Sequence, residues 1–130
     1  MAGGLTNAGC SAIAVYLTGN VAGINTFNST NAYLGVGSAS TAFAATQTNL
    51  QEATNVNRNA MQGGYPTVSN QTMTFRSLWA AASANYGWNE VGVFNNSTGG
   101  TMLCRDVQDL GDKPATQSWE LTFAVTVQVD

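Results

Sequence analysis

The chain has 130 residues, 44% of them hydrophobic and only 8% charged, with a net charge of −3. Arg58, Arg76, Arg105 and Lys113 are its only cations, which excludes the basic stripe that nucleic-acid binding needs. No apolar run approaches the ~20 residues of a membrane-spanning helix, and no basic amphipathic face suggests attachment to a membrane surface.

The length fits a single domain over 1–130 with a real core. Asn, Thr, Ser and Gln stand where charges usually would, giving a weakly solvated, neutral surface suited to a protein that lives against neighbours. Met1-Ala2-Gly3-Gly4 has no cationic start, so Ala8 to Leu17 is a poor signal peptide and the chain is expected to stay in the cytoplasm where it is made. Cys10 and Cys104 then read as free thiols, buried as small hydrophobes.

Leu5 to Thr18 reads as a helix, capped by Thr6 or Asn7 and stopped by Gly19-Asn20. After an Asn/Gly/Thr-rich loop to Thr30, Asn31 to Gly37 reads as a short buried strand. Ser38 to Thr54 reads as an irregular excursion with one helical turn around Asn49 to Ala53. Val56 to Met61 is a strand running into the Gly63-Gly64-Tyr65-Pro66 turn. Thr67 to Leu78, with Trp79 in the same register, is a strand rich in good strand formers. Ala80 to Asn85 breaks the pattern. Tyr86 to Phe94 reads as a strand carrying Tyr86, Trp88, Glu90 and Phe94 on one side and Val91 and Val93 on the other. Asn95 to Gly100 is a hairpin turn, Thr101 to Val107 is its returning strand, and Gly111 to Pro114 is a loop.

Ser118 to Asp130 alternates without a fault, with Trp119, Leu121, Phe123, Val125, Val127 and Val129 on one side. A period of two is what a strand with one buried face requires. The expected core therefore holds Trp88, Phe94, Trp119, Leu121, Phe123, Val125 and Val127. One helix followed by roughly six strands points to a mainly β fold: an antiparallel β-sandwich or rolled sheet with one N-terminal α-helix packed on it.

Chemistry is sparse. With no histidine, the usual base at neutral pH, Ser-His-Asp and Cys-His triads and most zinc sites are missing. Asp106, Asp109 and Asp112 recur every third residue but lack the register of a calcium loop, and read as solvated charge near Lys113. Gly35-Val36-Gly37-Ser38 lacks the third glycine and following helix of a dinucleotide fingerprint. Glu90 and Glu120 could be paired as glycosidase carboxylates only across a cleft that the pattern does not show. Trp79, Tyr86 and Trp88 fit a core better than a sugar-stacking platform. Glu90, on an otherwise aromatic face, needs a partner if buried. Arg105 is the expected one, because the hairpin sets its strand beside that of Glu90, in a structural pair that fixes strand register. No cofactor or metal and no catalytic residue is expected.

Several runs taken together resemble a group of small structural proteins of tailed bacteriophages. They are Tyr86-Gly87-Trp88-Asn89-Glu90-Val91-Gly92-Val93-Phe94-Asn95, Gly99-Gly100-Thr101-Met102-Leu103-Cys104-Arg105, Leu110-Gly111-Asp112-Lys113 and Ser118-Trp119-Glu120-Leu121-Thr122. Upstream, Ala32 to Gly37, Thr41 to Thr46 and Leu50 to Ala53 fit the same pattern, and Cys104 departs from it where that group often carries Asn. The resemblance implies a virion component without enzymatic activity, made in the bacterial host cytoplasm. At 130 residues, with no room for a fibre shaft and tip, the expected role is capsid decoration, or cement. Its expected partners are the major capsid protein and further copies of itself as a homotrimer. The alternatives are an adaptor of the tail, baseplate or fibre base, bound to a tail or fibre protein, and a carbohydrate-binding β-sandwich module.

Overall fold

A computed structural model describes residues 2–20 and 22–128. Two antiparallel sheets and one helix make a β-sandwich-like fold. In chain order the elements are β1 (Ala2–Leu5), α1 (Asn7–Thr18), β2 (Tyr33–Gly37), β3 (Val56–Ala60), β4 (Thr67–Ser69), β5 (Thr72–Trp79), β6 (Glu90–Phe94), β7 (Met102–Val107) and β8 (Trp119–Thr126). The larger sheet runs β1-β7-β6-β2-β3 and the smaller β4-β5-β8.

A strand thus precedes the helix, and the described residues form eight strands where roughly six are expected. β1 is four residues of low strand propensity, Ala-Gly-Gly-Leu, and exists because β7 offers it a ladder, Gly4 opposite Arg105. Thr6 then caps α1, its Oγ1 accepting the Gly9 N–H at 2.9 Å. Gly19, at φ 74°, ends the helix, and the N–H groups of Gly19 and Asn20 bond back to the Tyr16 and Val15 carbonyls as a left-handed cap does. Helix and larger sheet meet closely at Gly9, where a Cβ would lie 2.2 Å from the Leu103 carbonyl oxygen.

Between the sheets, Leu34, Val36, Val91, Val93, Leu103 and Cys104 pack against Phe75 and Trp79. Trp88 stands edge-on to both Trp79 and Trp119, each at 5.1 Å between ring centroids, and its indole N–H donates to the Ala84 carbonyl. Burial pushes the Cys104 thiol up to about 12. Cys10, in contrast, is exposed: it lies on the solvent side of α1 and is not the buried hydrophobe expected.

Four readings need correction, three of strands and one of a helical turn. Thr67 to Trp79 is two strands, broken at Asn70, whose φ of 53° turns the chain into a hairpin; Asn is among the few residues that tolerate this conformation. The strand expected from Tyr86 begins only at Glu90. Trp88 and Tyr86 pack with the core between the sheets, whereas Glu90 and Phe94 lie on the larger sheet's far side, so they do not share a face. No helical turn forms over Asn49 to Ala53. Lastly, the alternating C-terminal strand stops at Thr126, with Val129 and Asp130 outside the described residues.

Within β8, Trp119, Leu121, Phe123 and Val125 pack against the core but are only half-buried, and Val127, just beyond the strand, is 54% exposed. Alternation fixes the direction of side chains, not their cover. β8 is the edge of its sheet, and the sandwich gapes there over a cavity of about 270 Å³ lined by residues such as Val91, Asp106, Leu121 and Phe123.

Candidate functional site

The densest buried polar chemistry among the described residues lies on the outer face of the larger sheet. Gly35 pairs with Gly92, Gly37 with Glu90, and Gly92 with Arg105. Three glycines at the centre of the sheet leave a trough along its surface. The segment 38–54, between the paired ends of β2 and β3, crosses this trough as a strap without helix or strand. Leu50 drops from it onto the glycines: a Cβ at Gly35 or Gly92 would lie 3.1 Å from a Leu50 methyl. With Phe94 and Met102, Leu50 forms a small apolar cluster separate from the main core.

Glu90 and Arg105 are brought together beneath the strap. Arg105 Nε donates to Glu90 Oε1 at 2.9 Å, and both side chains are 0% exposed. A buried pair of this kind is bearable only when the remaining lone pairs and protons find partners. Those partners come from the strap. The Gln51 N–H donates to Glu90 Oε1 at 2.8 Å and the Glu52 N–H to Oε2 at 3.0 Å, while Arg105 Nη1 donates to Gln47 Oε1 at 3.1 Å. Arg105 Nη2 is buried without a partner among the described residues. The carboxylate therefore does more than join two strands. Sequence reasoning places Glu90 beside Arg105 through the hairpin, but it carries no signal for the strap amides.

Two further fastenings escape the sequence reading. Arg58 lies 3.5 Å above the Phe94 ring and donates to the carbonyls of Asn96 and Gly99 and to Asn49 Oδ1. It clamps the β6–β7 hairpin and the strap from one side, and burial pulls its guanidinium below the usual range. Lys113 is buried at 2% exposure, its ammonium donating to the Ala81 and Pro114 carbonyls and to Asn85 Oδ1. Its hydrogen-bond partners are neutral oxygens, not the nearby aspartates. At the strap's foot, the Ser38 hydroxyl donates to Glu52 and holds that carboxyl below its usual range. The Tyr86 hydroxyl donates to Asn57 Oδ1, and burial, then the charges of Glu52 and Glu90, pushes its pKa up.

The other candidate groups do not converge. Glu120 lies exposed on the smaller sheet beside Arg76, 3.6 Å away, and so shares no cleft with Glu90. Asp109 accepts the Gly111 N–H and Asp112 sits against Gly87. Among the described residues, no three of His, Cys, Asp and Glu are grouped to hold a metal ion. Trp79 and Trp88 are buried and offer no stacking surface with Tyr86. No described helix is long and apolar enough to cross a membrane. The sequence matches no protein-family model and no curated protein.

Proposed function

We propose that the chain is a non-catalytic structural protein of a tailed-bacteriophage virion, decorating the capsid as a homotrimer that braces neighbouring capsomers. One observation carries this reading beyond the sequence resemblance. The buried charges Glu90, Arg105 and Lys113 are bonded to loop and strap atoms, and none of them lines the cavities beside β8. Their chemistry is spent on holding irregular segments in one shape. The strap held by Glu90 and Arg105 presents Ser40, Thr41, Ala44, Thr46 and Thr48 to solvent, small neutral residues that suit close contact with another protein surface. Bracing a shell needs fixed shape and neutral contact area, not a reactive group.

Quantitative mass spectrometry of purified virions tests the proposal. A copy number comparable with that of the major capsid protein is the expected result. A small fraction of that number moves the chain to the tail or fibre base, and absence from the particle removes the virion reading altogether. Native mass spectrometry of the purified chain tests the homotrimer independently.

A further inference from the structure

We infer that the strap 38–54 opens and closes as a unit of its own, latched by the Glu90 carboxylate, while the sandwich beneath it stays folded. The inference does not depend on the proposed function.

The first support is how the strap is attached. Its neck is closed by the Ser38 N–H bonding to the Asn55 carbonyl. Away from that neck, one backbone-to-backbone bond among the described residues ties it to the rest of the fold, from the Asn7 N–H to the Ala45 carbonyl. Its other polar ties run through side chains: Glu90 to two strap amides, Arg105 to Gln47, Arg58 to Asn49, and Asn89 to the Ser38 carbonyl. Strands in the sheets are instead fastened by continuous ladders, and a segment held by a few side-chain contacts lies at the low-stability end of a structure.

Packing is the second. The apolar contacts of the strap, Leu50 with Phe94 and Met102 and the Phe43 ring over Gly4, lie on the opposite face of the sheet from the main core. Lifting the strap uncovers that face and leaves the contacts of Leu34, Val93, Phe75 and Trp79 in place.

Electrostatics set the direction. Closing the strap takes Glu90 and Arg105 out of water, and opening returns them to it, so the desolvation penalty is recovered on opening. An apolar core recovers nothing of the kind. When the strap is closed, the two strap amides complete the shell of the carboxylate. If its charge is removed, Arg105 is left buried without a countercharge, and the way to relieve this is to lift the strap.

Native-state hydrogen exchange on the full chain tests the inference. In the unaltered protein the Gln47, Gln51 and Glu52 amides are expected to exchange through one opening with shallow denaturant dependence. The Leu34 and Val93 amides are expected to exchange only with global unfolding. In Glu90→Gln the strap amides, including that of Gln47, which does not bond to Glu90, should exchange faster by on the order of 100-fold, with the sheet amides far less affected. Strap amides that share the opening free energy and denaturant slope of the core in the unaltered protein would overturn the inference, whether or not the variant folds. So would a variant that speeds strap and core equally, or one that loosens only the two amides bonded to Glu90.

Discussion

The outer faces of the two sheets solve the same problem in opposite ways. On the smaller sheet the outward row pairs Thr72 with Thr126, Thr74 with Ala124, Arg76 with Thr122 and Leu78 with Glu120. Water covers that face, and its ion pair, Arg76 to Glu120 at 3.6 Å, keeps 32% and 44% of its side-chain surfaces exposed. On the larger sheet the outward positions at the centre are Gly35, Gly37 and Gly92, too small to cover the sheet themselves, and the chain lays its own strap over them. The ion pair under that cover has no exposed surface. The same chemical pair, a guanidinium with a carboxylate, is a surface ornament on one face and the fastening of a 17-residue segment on the other. What differs is access to water and the number of additional hydrogen bonds each charge collects.

The contrast can be broken by removing one cation from each face. Arg105→Met strands the Glu90 carboxylate, and a charge left alone after loss of its buried partner costs about 3–5 kcal/mol. Because an opened strap rehydrates that carboxylate, the measured loss is expected to stop at the free energy of strap closure. Arg76→Met, at an exposed pair, should cost less than about 1 kcal/mol. Urea denaturation of both variants makes the comparison, and equal losses would mean that cover by the strap adds nothing to the pair.

Filling the trough gives a smaller effect. A Cβ at Gly37 would lie 2.4 Å from Glu90 Oε2 and displace the carboxylate on which the strap amides rest. Gly37→Ala should therefore destabilise by about 1–3 kcal/mol, the usual cost of overpacking. At Gly63 an added Cβ meets nothing within 4 Å, so Gly63→Ala should be neutral or slightly stabilising through the unfolded chain. If the two alanine variants melt at the same temperature, the trough is not a fitted surface.

The sequence made one half of this contrast legible and hid the other. Alternation over Ser118 to Thr126 named the inward row of β8, and the Asn95 to Gly100 hairpin placed Arg105 beside Glu90, because both are local rules of strand geometry. Cover is not local. Val127 continues the apolar row, yet lies 54% exposed, just past the end of a strand with whose outer edge no described strand pairs. Gly35-Val36-Gly37 matches only the start of a dinucleotide fingerprint, and nothing in its spacing tells that Leu50, from a distant turn of the chain, lies against Gly35. Lys113, beside aspartates that read as solvated charge, is buried on oxygens of Ala81 and Asn85, some 30 residues away in sequence, and no spacing rule reports such a contact. Ala2 to Leu5 carries no strand signal at all, since its partner β7 supplies the order.

The smallest effect concerns the open side of the sandwich, where neither cover exists. Asp106 lines the gap between β7 and β8, and burial there raises its carboxyl above the usual aspartate range. The folded state thus holds the proton more tightly than the unfolded chain does. Its contribution is most favourable below the unfolded pKa, about 4, and is lost as the pH rises through the folded value. Asp106→Asn removes the titration and leaves a polar group of the same shape. The variant should therefore gain stability over the unaltered protein at neutral pH and lose that advantage in acid, by a small margin because the group is only partly buried. Denaturation midpoints of the two proteins across that range should converge towards low pH. A constant offset would show that the carboxyl at the open edge is fully hydrated, and that the gap beside β8 is as wet as the outer face of the smaller sheet.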